Sequence, residues 1–201
     1  MPRPSVREVI VETAVQEIHR MGFAACSVDT ITKAAGVPKG SFYNHFKSKE
    51  ELGAEVVRRY ASETPWLRTT PGLTPLQQLR ARFVTMRDVL VANEFTRGCL
   101  IGNMASERSD HNEIIRVQVK ASLTGWSQHI TQELKAAQAA GETDPALDAE
   151  RIGRFMLDAW EGALIRAKAV KNVQPLDDFF AIVFDTLLYG TRPSYKYETN
   201  R

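Results

Sequence analysis

The residues from Ser27 to Glu51, SVDTITKAAGVPKGSFYNHFKSKEE, allow few conformations. Ser27 can cap a helix, because its hydroxyl accepts from a backbone N–H one turn in. Val28, Ile31, Ala34 and Ala35 recur at three- and four-residue spacing, which gives that helix one buried face. Gly36 permits the positive φ that ends it, and Pro38 suits the first turn of the next helix. This second helix is short, from Pro38 to Phe46, and is expected to bury Phe42 and Phe46. Its other positions hold Lys39, Gly40, Ser41, Tyr43, Asn44 and His45, all small or hydrogen-bonding. Ser48 and Glu51 have the S-x-x-E spacing of a capping box for a third helix. A short helix, a glycine turn and a second helix exposing such groups match the geometry that sets side chains into a major groove.

Helix pairs of this shape also occur in proteins that never touch DNA, so charge has to decide. Between Lys33 and Lys49 there are four lysines and no Asp or Glu, although the chain as a whole carries only +2 at pH 7. Counterion release from phosphates supplies much of the affinity for duplexes, so a local acid-free run matters more than the net charge. Reach then divides the roles. Lys39, Gly40, Ser41 and Asn44 lie at the start or outward face of the short helix and are expected to enter the groove. Tyr43, His45 and Lys49 are better placed for the backbone, where they position without specifying sequence. Ser27 and Thr30, at the front of the preceding helix, can add phosphate contacts, as can Arg3 and Arg7 near the N-terminus.

The rest of the chain reads as helices. Val6, Val9, Ile10, Ala14 and Ile18 form a helical stripe closed by Gly22, with Phe23 as a core anchor. A helix from Ser48 to about Thr64 turns Leu52, Val56, Val57 and Tyr60 inward and stops at Pro65. Thr74 and Pro75 open another, with Leu76, Leu79, Phe83, Met86 and Leu90 on one side, and 93–98 is a turn. After the apolar group Cys99, Leu100, Ile101 and Met104, a helix from Glu113 to Gly141 carries Ile114, Val117, Leu123, Trp126, Ile130 and Leu134. Asp148 caps a long helix with Ile152, Phe155, Met156, Trp160, Leu164 and Ala167. Pro175 precedes a last one with Leu176, Phe179, Phe180, Val183, Phe184, Leu187 and Leu188. The tail after Thr191 is expected to be loosely ordered. On the last helix Phe179 and Phe180 point in different directions, more than one core face holds easily. Phe155, Phe179, Phe180, Val183, Phe184 and Leu187 are therefore expected to form a twofold interface with a second copy.

The run AAGVPKGSFYNHFKSKEEL, preceded by SVDTITK, resembles the N-terminal DNA-binding domain of the TetR family of bacterial repressors, over about residues 5 to 60. The resemblance implies an all-α fold: an N-terminal three-helix helix-turn-helix domain and a C-terminal helical ligand-binding and dimerisation domain. It divides the chain into a reader at 1–47, a connecting helix at 48–65 and an effector and dimerisation domain at 66–201. It also implies that the chain represses by binding a palindromic double-stranded DNA operator as a homodimer, and is released when a small-molecule inducer tilts the connecting helix. The family counterparts of Tyr43 and Lys49 hold phosphates, and those of Lys39 and Ser41 contact bases or phosphates.

Two further segments, RGCLIGN and WEGALIRAK, resemble the subgroup that regulates acrylate and related electrophile metabolism. One of its members, the repressor of N-ethylmaleimide reductase, senses through a cysteine in a G-C-L motif. Two mechanisms remain open for Cys99: its thiolate attacks an electrophile, or it is a small buried apolar residue beside a pocket that binds reversibly. Cys99, Asn103, Glu107, Trp126, Trp160 and Arg166 are the candidate pocket groups, since polar atoms alternate there with aromatics. Cys26 is expected in the core.

Other function classes have less to stand on. The four histidines show no metal-ligand spacing, and no nucleophile elbow or phosphate loop occurs, so neither an enzyme nor a metal or other cofactor is expected. A helical interaction protein is the remaining alternative, against which the lysine run stands. Two cysteines make no disulfide framework. No apolar run approaches the ~20 residues of a membrane span, and the first ten residues lack a secretory pattern. A cytoplasmic protein is the expectation.

Overall fold

A computed structural model describes residues 4–63 and 69–189; the expected stop at Pro65, Arg3 and the tail after Thr191 lie outside them. The described residues are helical throughout, with no strand. In order the helices are α1 (Val6–Met21), α2 (Val28–Ala34), α3 (Lys39–Tyr43), α4 (Lys49–Glu63), α5 (Pro75–Ala92), α6 (Leu100–Arg108), α7 (Glu113–Ala139), α8 (Ala149–Val170) and α9 (Gln174–Val183). A 3-10 turn, Leu187–Tyr189, follows. None of the described helices is long and apolar enough to cross a membrane.

Their boundaries follow local chemistry. Ser5, Ser27 and Thr74 each accept from an amide in the first turn of α1, α2 and α5, and the Thr74 cap is completed by the Gln77 side chain. Asp148 accepts from Glu150 and Arg151 at the start of α8, and these bonds hold its carboxyl below the usual aspartate range. Ser48 accepts from the Glu51 amide at 3.2 Å as a capping box requires, but the Glu51 carboxylate reaches the Lys47 amide, at 2.7 Å, rather than that of Ser48. Pro175 lies inside the first turn of α9, where a missing N–H costs nothing.

The chain divides into two compact units, one of Met1–Leu67 with Phe95–Trp126 and one of Arg68–Glu94 with Ser127–Arg201. These units cut across the functional partition expected from sequence, because α6 packs on α4. In the first unit α1 packs on α2, α3 and α4. Ile10, Val11, Ala14, Ile18, Phe23, Cys26, Ile31, Phe42, Phe46, Leu52, Val56 and Val57 are buried there, joined by Leu100, Ile101 and Met104 of α6. On α2 the buried face differs from the apolar pattern: Thr32 is buried and Ala34 exposed. Thr32 can be buried because its hydroxyl donates to the Val28 carbonyl at 3.0 Å. Ile114 and Val117 of α7 are exposed, and Ile115 and Val119 are buried in their place. Arg7, expected to reach phosphate, pairs with Glu55 at 3.2 Å and lies over the Phe46 ring.

The second unit is organised by aromatic rings. Phe83 of α5, Trp160 of α8, and Phe179 and Phe184 at α9 stand with centroids 5.0–6.2 Å apart, mostly edge to face. Phe180 joins them at 5.7–6.1 Å from Trp160, Phe179 and Phe184. The interface expected from these residues therefore needs correction. Phe179, Phe180, Val183 and Phe184 are at most 6% exposed within one chain. Neighbouring rings on one helix can both be buried because edge-to-face packing accepts different orientations, and the guanidinium groups of Arg80 and Arg87 cover Phe180. Leu187 is half-buried, and of the expected set only Phe155, 49% exposed, faces outward. The one buried arginine among the described residues, Arg82, pairs with Glu133 of α7 at 2.9 Å.

Close packing around Phe23 generates a stability prediction. A methyl on Gly53 of α4 would stand 2.6 Å from Phe23 Cε2 and 3.1 Å from Ile115 Cδ1, whereas nothing lies within 4 Å of one on Gly125. Gly53→Ala should destabilise the fold by about 1–3 kcal/mol despite its better helix propensity, and Gly125→Ala should stabilise it by about 0.5–1 kcal/mol. Thermal unfolding at fixed protein concentration reads both signs.

Candidate nucleic-acid interface

The helix-turn-helix is assembled from a turn, two ring anchors and a small outward surface. Gly36, at φ +66°, closes α2, and the Val37 amide donates to the Thr32 carbonyl at 3.0 Å. Pro38 then sets α3 going. This helix has five residues, fewer than the Pro38–Phe46 expected from sequence, and is fixed by the rings of Phe42 and Phe46, 5.6 Å apart and at most 2% exposed. With those two turned inward, Lys39, Gly40, Tyr43, Asn44 and His45 are exposed and Ser41 is half-buried. Tyr43 rests its ring edge-on against Phe42 at 5.1 Å and remains 58% exposed. Gly40 has no positive φ and open space where a Cβ would be, so nothing inside the chain requires glycine there. Ser27 and Thr30 share a hydroxyl–hydroxyl bond of 2.8 Å at the start of α2.

The four lysines of the acid-free run are not equivalent. Lys33 pairs with Asp29 one turn earlier at 2.7 Å, and this bond raises the lysine pKa and lowers the aspartate's. Lys49 is half-buried, with its ammonium 4.3 Å from the Phe23 ring centroid and 3.5 Å from the Ala24 carbonyl, and burial pushes its pKa down. Burial also raises the pKa of Cys26, which lies in the core as expected. Lys39 and Lys47 are exposed. Lys47, in the turn before α4, was not singled out from sequence, although the acid-free run contained it.

The six candidate effector groups are divided between the two units. Cys99, Asn103, Glu107 and Trp126 fall in the first unit and Trp160 and Arg166 in the second. Cys99 is 8% exposed and caps α6, its sulfur accepting from the Gly102 amide at 3.4 Å. The turn before it holds positive φ at Glu94, Phe95, Arg97 and Gly98. Asn103 donates to the Arg97 carbonyl at 2.8 Å and so fastens this turn. Glu107 accepts backbone amides on both its oxygens, from Phe23 at 2.9 Å and Ala24 at 2.5 Å. Trp126 donates to the Ala61 carbonyl at 3.4 Å and stands 6.4 Å from Tyr60. Trp160, 1% exposed, belongs to the ring cluster of its unit, and Arg166 is exposed. Among the described residues no group of three or more His, Cys, Asp or Glu side chains is placed to hold a metal ion.

Comparison with known proteins gives this arrangement a family. The model for bacterial regulatory proteins of the tetR family matches residues 10–56, and that for the tetracyclin repressor-like C-terminal domain matches 75–183. The HTH-type transcriptional repressor DhaR of Mycobacterium sp. strain GP1 is 33% identical over 198 residues, 95% of this chain and 96% of DhaR. The transcriptional regulator AcuR of Cereibacter sphaeroides is 30% identical over 176 residues, 85% of this chain and 80% of AcuR. The crystal structure of reduced NemR from E. coli superposes with a TM-score of 0.75 at 27% identity, covering 90% of this chain and 96% of that one. The chain, an α-helical protein with an N-terminal helix-turn-helix, belongs to the TetR family of DNA-binding transcriptional regulators, which are not enzymes.

Proposed function

We propose that the chain is a repressor that binds a palindromic operator as a homodimer and is released by a small electrophile or a related inducer. The outward surface of α3 and the two residues after it carries this reading: the six positions of 39–45 other than Phe42 offer hydrogen-bonding or small groups, while Phe42 and Phe46 anchor the segment from behind. Lys39, Gly40, Ser41 and Asn44 read the groove. The open space at Gly40 supports a close approach of DNA there. Tyr43, His45, Lys47 and the front of α2 at Ser27 and Thr30 hold phosphates. Lys49 contributes by bracing the α1–α2 turn, where its ammonium already lies.

A palindromic site needs a twofold protein. The outward side of α8 bears Phe155, Gly162, Ile165 and Ala169, and that of α9 bears Ala181 and Ile182; Phe155, Ile165 and Ile182 are 49–59% exposed. Arg154 and Arg166 flank this stripe on α8, and Asp178 on α9 and Asp185 just after it, all exposed. A self-complementary surface needs both signs of charge. These residues replace the buried phenylalanines as the dimer face.

Cys99 is the centre of the effector end. As the cap of α6 its sulfur accepts from the Gly102 amide, and its thiolate is the form that attacks an electrophile. That DhaR and NemR are named repressors supports repression, and the naming of a reduced NemR form supports a thiol-based response. Release then follows from population shift: an adduct or ligand favouring a DNA-incompetent state by about 5.5 kcal/mol moves the dimer almost entirely out of the competent one.

Three measurements test this reading, all on the duplex recovered by selection from a random pool. Lys39→Ala should cost about 1–3 kcal/mol on that duplex and little on scrambled DNA, whereas Tyr43→Phe should weaken both alike; the opposite pattern would exchange their roles. Ile165→Asp with Ile182→Asp should convert the dimer to a 22.5 kDa species in light scattering and abolish cooperative occupancy of the two half-sites. A wild-type protein that is already monomeric refutes the dimer. Cys99→Ser preserves an acceptor for the Gly102 amide and should abolish release by N-ethylmaleimide; undiminished release would leave only reversible binding.

A further inference from the structure

Helix α6 is tied at both ends to the end of α1 and the turn after it, within a single compact unit. At its front, His19 Nε2–H donates to the Gly98 carbonyl at 2.8 Å, and Arg97 Nη1 donates to Gln16 Oε1 at 3.2 Å. At its rear, Glu107 accepts the Phe23 and Ala24 amides on its two oxygens, and the Arg108 guanidinium carbon stands 5.1 Å from the centroid of the Phe23 ring. These two amides emerge from the turn that joins α1 to α2, the first helix of the reading motif. Hydrogen bonds to a carboxylate are stronger than neutral ones, and their narrow geometry tolerates little sliding.

The front tie lands on an unusual place. Gly98 ends a turn in which Glu94, Phe95 and Arg97 also hold positive φ, and it directly precedes Cys99. Non-glycine residues in that region store strain, and such turns are natural two-state elements. The ring of His19 also packs edge-on against Tyr60 of α4 at 5.4 Å. One side chain of α1 thus touches both the turn before Cys99 and the connecting helix.

We propose that Glu107 and His19 are the positioning residues that make α6 and the reader's α1–α2 turn move as one, so that the state of either is felt at the other. The proposal deepens the repressor reading and rests on its DNA face, but it requires no particular inducer. Coupling of this kind is reciprocal: if the effector end controls the reader, a duplex held by the reader must alter the effector end.

The test is amide hydrogen exchange of the full-length protein with and without the selected duplex. In the wild type, duplex binding should change exchange at the amides of 99–103 by about threefold or more. Glu107→Gln leaves an N–H of the turn facing an amide group instead of an oxygen, and His19→Phe keeps the ring against Tyr60 but removes the donor. Both variants should remain folded and bind the duplex, with a modestly lower melting temperature, yet lose the exchange change at 99–103. His19→Gln, which returns a donor at the reach of Nε2, should restore it. Duplex binding by the wild type with unaltered exchange at 99–103, or variants that keep the full change, overturns the coupling alone. A wild type that binds no duplex overturns the DNA reading and the coupling with it.

Discussion

Burial of Phe42 and Phe46 is the constraint from which the reading surface follows. A helix of five residues has no stability of its own, since a single turn fixes more dihedral angles than its hydrogen bonds repay. It exists here because its Phe42 ring and that of Phe46, just beyond its end, are held in a core with α1, α2 and α4, with Arg7 lying over Phe46 and bound to Glu55. Everything else on α3 is thereby released from packing. The groups that face outward are free of packing demands, and Gly40, with open space where a Cβ would stand, is the clearest instance.

The same division of labour recurs on α6. Its inward residues Leu100, Ile101 and Met104 pack, while polar groups at its ends are spent on backbone atoms of other segments. Glu107 and Asn103 look like ligand groups in a linear reading because they alternate with apolar residues. Their partners, the Phe23 and Ala24 amides and the Arg97 carbonyl, lie 84, 83 and 6 residues away in sequence. Loop amides of that kind carry no side-chain signature, so no periodicity announces them.

Legibility in the sequence followed how local the determining physics was. Caps at Ser27, Thr74 and Asp148, the turn at Gly36 and the anchors Phe42 and Phe46 are decided within a few residues, and each was readable. The failures needed three-dimensional neighbours. Phe179 and Phe180 were assigned to a partner because one helix face cannot hold both, but Phe83 and Trp160 supply rings at matching angles from other helices. On α7 the inward stripe runs through Ile115 and Val119 rather than Ile114 and Val117, a rotation that apolar residues at adjacent positions leave undetermined.

The pairing of Lys33 with Asp29 and the seating of Lys49 on Phe23 leave the described reader with few outward ammonium groups, chiefly Lys39 and Lys47. Each phosphate neutralised contributes about 0.9 to the slope of affinity against salt on logarithmic axes. Such a surface surrenders little of its grip as ionic strength rises and gains little from indiscriminate attraction to the polyanion. On the proposed reading of this face, shape, amides and hydroxyls supply what charge does not, so base sequence rather than attraction to the polyanion decides where it settles.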